Sequence, residues 1–297
     1  MELTVLAIPF FLAAVAFEER VARRQGRVIS EWRDSLTSIT AGAASLVIGA
    51  FWKVALLGCY FALYEVTPLR LGHGPLAWLA AIVADDFAYY WFHRLHHEVR
   101  LLWAAHVTHH SSRHYNLATA LRQSWTPMTA LPFYAPLALL GFDPWMLVTV
   151  HSINLLYQFW IHTETIDRLG AFETVFNTPS HHRVHHATNV QYLDRNYAGI
   201  WIVWDRLFGT FEPEVEAPVY GLTKNITRFD PLHVAFHEWV AVLRDLVRPN
   251  PLRVRLGLAL QPPGWSPDGS TQTARQMRAA RDARADASPA SAFATPA

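Results

Sequence analysis

Residues 36–64 read LTSITAGAASLVIGAFWKVALLGCYFALY, a run from Leu36 to Tyr64 whose one charge is Lys53. Crossing a bilayer takes about 20 predominantly apolar residues, so the stretch predicts a membrane helix. Ala41, Ser45 and Gly49 recur at every fourth place and share one face, on which a second helix could approach closely. Lys53 reads as a side chain stretched along the bundle toward polar groups. Upstream, Leu3 to Phe17 forms a shorter apolar run and predicts a first membrane helix. No basic region precedes it, so it reads as a retained anchor and not a cleaved signal. Between the two runs lie Arg20, Arg23, Arg24, Arg27 and Arg33, which mark the cytoplasmic side by the positive-inside rule.

Downstream, Thr67 to Gly74 holds Pro68, Gly72 and Gly74 and predicts a turn on the far side, from which Pro75 to Phe92 returns. Between Pro127 and Trp160 two apolar arms flank Gly141, Phe142, Asp143 and Pro144, the first arm too short to cross. They predict a helical hairpin that dips in and comes back, carrying His162 to the same surface as the earlier histidines. No alternating strand pattern and no solenoid repeat occurs. The expected fold is therefore all-α: an integral membrane helical bundle of about four to five membrane-embedded helices, multi-pass, under a cytoplasmic, histidine-rich cap. Residues 1–262 would form this membrane-embedded domain, with a histidine core over 86–222. Residues 263–297, rich in Pro, Gly, Ala, Ser and Arg, read as a disordered C-terminal tail.

Composition agrees. The chain is 52% hydrophobic and 16% charged with twelve tryptophans, too apolar for an ordinary soluble enzyme. A net charge of +1 without a basic stripe gives no support to nucleic-acid binding. Cys59 is the sole cysteine, so any metal must be held by nitrogen and oxygen.

Thirteen of the sixteen histidines lie between His93 and His186. Their offsets carry the information: His93 and His97 are four apart, His106 precedes His109 and His110 by three and four, and His182 precedes His185 and His186 likewise. Such offsets stack imidazoles on a helix within a turn of one another. Neutral imidazole ligates iron, copper or zinc, and eight such nitrogens exceed what one ion uses, so two metals are implied. His162, at the end of the hairpin, is a candidate ninth ligand. His96, His114 and His181 fall outside the spacing and read as supporting or surface residues. His151 reads as a hydrogen-bonded packing residue within a membrane helix, and His233 with His237 as an isolated pair. Asp86, two turns before His93, could accept an imidazole N–H or make a structural hydrogen bond to Tyr89, Tyr90 or a neighbouring helix. Glu98 could ligate or merely solvate.

A zinc protease needs His-Glu-x-x-His, but Leu101 and Ala241 stand where the second histidine would be after His97 and His237. Walker, dinucleotide and Gly-x-Ser-x-Gly motifs are absent as well. A metal transporter would line its spans with ionisable residues, whereas here mainly Lys53, Asp85, Asp86 and His151 lie deep. A metal site at the mouth of an apolar bundle suits oxygen activation and attack on a C–H bond.

The stretches His93-Arg-Leu-His-His97-Glu98, Leu102-Trp-Ala-Ala-His106-Val-Thr-His109-His110-Ser-Ser112 and Thr178-Pro-Ser-His-His182-Arg-Val-His185-His186 resemble the fatty acid hydroxylase and sterol desaturase superfamily. Asn116 to Gln123, Gln158 to Glu164, Asn196-Tyr-Ala-Gly199 and Trp204 to Glu212 are similar to its branch that cleaves glyceryl ethers, over about Asp86 to Leu222. The resemblance implies two Fe ions, O2 as oxidant, a lipid substrate in the membrane and a redox donor, which in that branch is tetrahydrobiopterin. It implies hydroxylation beside the ether oxygen, with collapse of the hemiacetal to an aldehyde and glycerol. By position it makes His93, His97, His106, His109, His110, His182, His185 and His186 the iron ligands, adds His162, and gives Glu98 the place of an essential acid. Gln158 stands where other lipid hydroxylases of the superfamily carry a further histidine. A sterol or fatty-acyl hydroxylase or desaturase fed by a protein electron donor would share the same iron site.

Overall fold

A computed structural model describes residues 3–287. After a single turn at Leu3–Leu6 the chain enters α1 (Ile8–Arg24), which presents Phe10 and Phe17 outward and buries Glu18. Next comes α2 (Trp32–Val66), whose N-cap Glu31 accepts a hydrogen bond from the Asp34 amide at 3.0 Å. At 1.5 Å per residue this helix is about 50 Å long, more than a hydrocarbon core of about 30 Å. Among the described residues it is the one helix long and apolar enough to cross a membrane by length and composition, and none of its most apolar window is buried. Around Ala41 and Gly42 the close neighbour is a loop, while Gly49 has open space beside it. The Trp125 indole donates to the Ala41 carbonyl at 3.0 Å, and a Cβ on Gly42 would stand 2.6 Å from the Leu121 carbonyl oxygen. Gly42→Val is therefore expected to cost about 1–3 kcal/mol through overpacking, seen as a lowered midpoint in a thermal unfolding assay in detergent.

Helix α3 (Pro75–Glu98) starts with proline in its first turn behind Gly74 and runs six residues past Phe92, so that His93 and His97 lie in its last two turns. After Val99 the chain bends directly into α4 (Arg100–His110). The expected hairpin is present as α5 (Leu131–Leu139) and α6 (Pro144–Trp160), where Asp143 caps α6 by accepting from the Trp145 and Met146 amides. Gly141 turns with φ +90°, and a Cβ there would lie 2.8 Å from the Leu69 backbone, so the position requires glycine. The core is built by Ala81, Ala88 and Tyr89 of α3 against Tyr134 and Leu137 of α5 and Met146, Leu147 and Val150 of α6.

The cap follows. A short helix α7 (Pro179–His185) carries His181, His182 and His185, with His186 at its C-cap. A long irregular segment leads to α8 (Pro231–Val247) and α9 (Leu252–Leu260). No strand occurs among the described residues, only the isolated bridges Phe176–Trp201 and Ala187–Tyr220. The expectation of a disordered tail needs correction: α10 (Ala274–Asp286) is helical, and its Arg278 guanidinium donates to the Leu193 carbonyl. It is held by polar anchoring to the cap instead of a buried apolar face, which is why composition did not reveal it. Residues 288–297 of that tail lie outside the described residues.

Candidate metal centre

Four elements converge: the C-terminal turns of α3 and α4, the end of α6, and α7. They bring the nine histidines into two groups, His93, His97, His106, His110 and His185 in one, and His109, His162, His182 and His186 in the other. Within each group the ligating atoms lie within 4.8 Å of one another. Neighbours in sequence part company here. Successive residues on a helix point about 100° apart, while i and i+4 nearly coincide. Hence His106 and His110 share one group while His109 serves the other, and His182 and His186 share the second while His185 crosses to the first.

The ring orientations follow from what their outer nitrogens meet. His93 Nδ1 donates to the Tyr197 carbonyl at 2.8 Å, His185 Nδ1 to the Arg195 carbonyl at 2.9 Å, His162 Nδ1 to the Gln158 carbonyl at 2.7 Å, and His109 Nδ1 to the Arg122 carbonyl at 3.3 Å. A carbonyl only accepts, so each contact fixes the Nδ1–H tautomer and leaves an Nε2 lone pair pointing inward. The Nε2 atoms of His162 and His109 are then 3.1 Å apart, two lone pairs facing each other with no proton between them. That arrangement is repulsive unless a cation lies between. His182 Nε2 approaches His162 Nε2 to 3.0 Å, and in the first group His93 meets His106 at 2.9 Å, His110 meets His106 at 3.1 Å and His185 meets His110 at 3.2 Å. Metal–imidazole bonds of about 2.0–2.1 Å at right angles put ligand nitrogens about 3 Å apart. His97 Nε2 and His186 Nε2 are buried without any hydrogen-bond partner. The donor set therefore fits two cations that favour imidazole, iron among them.

Burial and the neighbouring imidazoles hold these rings neutral: burial lowers His109 to about 4 and His185 to about 3, and drives His93, His97, His106, His110, His162, His182 and His186 well below 6.5. Neutral imidazole is the form a metal binds. Near and below the unfolded value of about 6.5 an unfolded chain takes up protons that the folded rings refuse, so folding stability falls as pH falls through that value and levels off only well above it. The metal-free protein is expected to melt at a progressively lower temperature as pH falls from 8, gently down to about pH 7 and steeply below about pH 6.5. A melting series across that range, with and without metal, checks this.

The two acids read from the sequence lie outside both groups. Asp86 is wholly buried, and its carboxylate accepts from the Ile200 amide at 2.7 Å, the Trp201 amide at 3.1 Å, the Trp204 indole at 2.9 Å and the Asn154 amide at 3.1 Å. It touches no imidazole of the groups. It anchors the loop whose Tyr197 carbonyl orients His93. Asp205 pins the same loop through the Tyr197 and Ala198 amides, each at 2.8 Å. Glu98 is half-exposed and bonds Arg94 at 3.0 Å. Among the other histidines, His96 bonds the Phe92 carbonyl and Thr129 with its ring 6.3 Å from that of His106, beside the first group but outside it, while His181 packs on Phe211 and His151 approaches Asp85 at 3.2 Å.

The sequence reading missed two side chains. Asp194, at φ +53°, brings a carboxylate to 3.7 Å from His97 Nδ1, and burial raises its carboxyl to about 7. Tyr197 is fully buried with an unpartnered hydroxyl, its ring 5.4 Å from His97 and 6.0 Å from His185. The available signal was Asn196-Tyr-Ala-Gly199, noted only as part of a resemblance. Behind the second group, Arg122 links its carbonyl on His109 to a buried ion pair with Asp34 at 2.6 Å and to Ser111 at 3.0 Å.

The fatty acid hydroxylase family model matches residues 78–210. Alkylglycerol monooxygenase of Homo sapiens is 44% identical over 268 residues, covering 88% of this chain and 59% of that protein. The Danio rerio protein of the same name is 41% identical over 267 residues, with the same coverage. Ornithine lipid hydroxylase of Rhizobium tropici is 25% identical over 232 residues, covering 76% of the chain and 70% of that protein. The chain thus spans about half to three-fifths of the length of the monooxygenases it matches. No solved structure matches it.

Proposed function

We propose, on the premise that residues 78–210 are a fatty acid hydroxylase domain, that this chain is a membrane-bound, O2-dependent lipid hydroxylase with two iron ions held by its nine histidines. The observation that carries the reading is the convergence of Nε2 atoms into two groups spaced as coordination shells are spaced. Two iron ions bound there would supply the activation of oxygen and the attack on a C–H bond. The protein's part is to hold the rings neutral and aimed through the Tyr197, Arg195, Gln158 and Arg122 carbonyls, and to keep bulk water from a centre most of whose imidazoles are buried.

The substrate we assign is a glyceryl ether lipid, hydroxylated at the carbon beside the ether oxygen. Inserting one oxygen atom of O2 uses two electrons and two protons and releases the other atom as water. The hemiacetal then breaks to a fatty aldehyde and glycerol. Tetrahydrobiopterin is the proposed electron source. The likeness to alkylglycerol monooxygenases supports the choice of substrate, and the pterin follows from the motif resemblance alone. A second reading, a hydroxylase of another lipid fed by a protein donor, is favoured by the likeness to ornithine lipid hydroxylase, of which the chain covers the larger share.

Membrane embedding is supported by large apolar side chains exposed along several helices: Phe10 and Phe17 on α1, Val47, Phe51 and Val54 on α2, Leu76 and Leu79 on α3, Leu139 on α5 and Trp145 on α6. A belt of this kind is typical of a surface that meets lipid. We place α1, α2, α3 as far as Phe92 and the α5–α6 hairpin in the bilayer, four to five embedded helices, with the histidine cap, including the last turns of α3, on the cytoplasmic side.

The test is metal content and O2-dependent turnover of the detergent-purified protein, offered a glyceryl ether lipid with and without tetrahydrobiopterin. About two irons per chain and pterin-dependent aldehyde release, lost in His109→Ala and His185→Ala, is the expected result. Iron without aldehyde moves the substrate to another lipid. No bound metal overturns the proposal.

A further inference from the structure

The histidines left outside the centre at the C-terminal end, His233 and His237, lie on a helix with an unusual surface. On α8, Leu232, Val240, Leu243 and Val247 are all exposed, and Phe236 between them is half-buried against Trp125 at 5.8 Å. At about 100° per residue these five fall in one sector of about 80°. The buried residues Val234, Ala235 and Val242 occupy the opposite side, as do Glu238 and Asp245, which bind Arg100. Helix α9 repeats the pattern, with Leu252, Leu256 and Leu260 exposed at four-residue steps. The flank of the stripe is basic or imidazole-bearing: His233, His237 and Arg244 on α8, and Arg253 on α9. Arg228, Leu232, His233, Phe236, Val240 and Arg244 bound an open groove of about 580 Å³ along this face, where Arg228 also pairs with Asp230 at 2.5 Å.

The stripe also continues a surface already described. The Thr37 hydroxyl of α2 donates to the Phe229 carbonyl at 2.7 Å, which ties the entrance of α8 to the first turns of the long apolar helix, next to its exposed Leu36 and Ile39.

We propose that α8 and α9 lie in the interfacial layer of an anionic bilayer, their apolar stripe entering the acyl region while Arg228, Arg244 and Arg253 reach the lipid phosphates. An apolar sector beside a cationic flank is the pattern of helices that lie in a membrane surface, and arginines there extend along their own methylenes to the headgroups. The inference rests on the membrane reading above, and adds that the cap is seated on the lipid by its C-terminal helices and not by the spans alone.

Spin labels test it on the full chain, in a Cys59→Ser background, reconstituted in vesicles of phosphatidylcholine mixed with phosphatidylglycerol. Labels go at Leu243→Cys and Leu256→Cys, with Phe51→Cys on α2 and Arg284→Cys on α10 as references. Relaxation by O2 and by a water-soluble nickel chelate reports depth. Labels at 243 and 256 are expected to favour O2 over nickel severalfold, as at 51, with the reverse at 284. Lipid exposure at 51 with aqueous exposure at 243 and 256 overturns this inference and leaves the membrane reading standing. Aqueous exposure at 51 as well removes both. Shielding of 243 and 256 from both reagents means a protein cover and overturns it too. With Arg228→Glu and Arg244→Glu, the label at 243 is expected to become shallower in the anionic vesicles and to stay unchanged in phosphatidylcholine alone. No difference between the two removes the role given to the arginines.

Discussion

Gly199→Ala is expected to deplete metal from a centre that the residue does not touch. A Cβ at Gly199 would stand 2.6 Å from Asn154 Oδ1 and 2.6 Å from Asp86 Oδ1, with the Tyr89 ring at 3.0 Å. None of the three can give way cheaply. Asp86 is held by two amides and an indole, and Asn154 bridges it to Asp85 at 3.0 Å and to Gln158 at 2.7 Å. The loop must move instead, and it carries the Tyr197 carbonyl that orients His93 at 2.8 Å. Overpacking of this kind costs about 1–3 kcal/mol, and loss of an orienting partner behind a metal-bound imidazole typically costs 10- to 100-fold in metal affinity or activity, about the same range again. The measurements are iron content after dialysis against a chelator and turnover per bound iron. Asp86→Ala should fall in the same direction by removing the anchor itself. If Gly199→Ala keeps full metal and activity, the loop is not what aims His93.

This dependence on a loop shows where the sequence was legible and where it was not. The helices were readable because apolar runs and punctuating Gly and Pro residues mark them locally: Leu36 to Tyr64 lies within α2, and Gly141 to Pro144 is the hinge between α5 and α6. The histidines were readable because offsets of three and four imply one helical surface. Their division between two groups was not, since it depends on a rotation of about 100° between neighbours and on where α4, α6 and α7 sit in space. The supports of the rings were hidden for a further reason. His93, His185, His162 and His109 are oriented by backbone carbonyls, which every residue has. Only the residues that keep those carbonyls in place leave a trace, and they do so as an isolated Gly199, Asn196 or Asp205 without periodicity. Asp86 stood out in the sequence as an acid costly to bury, but its partners come from residues 154 and 200–204, far along the chain.

His109→Ala and His110→Ala, one residue apart, are expected to weaken different ions. His109 belongs with His162, His182 and His186, whereas His110 belongs with His93, His97, His106 and His185. Removing His109 leaves three nitrogens in its group, and removing His110 leaves four in the other. The first variant should therefore lose its ion more completely, because each lost imidazole is a larger part of the smaller set. Both variants should turn over at least roughly 100-fold more slowly, the upper end of what displacing even an indirect partner of a metal costs. Metal counting alone would show a fall toward one ion per chain in both, so the distinction needs a probe of the ion that remains. Cobalt substitution supplies one, through visible bands sensitive to coordination number. The His109→Ala spectrum should match that of His186→Ala, and the His110→Ala spectrum that of His185→Ala, although 109 and 110 adjoin on α4 and 185 and 186 adjoin at the end of α7. Spectra that pair by sequence neighbourhood instead would mean that the two groups exchange ligands once metal is bound, and the division into five and four would have to be redrawn.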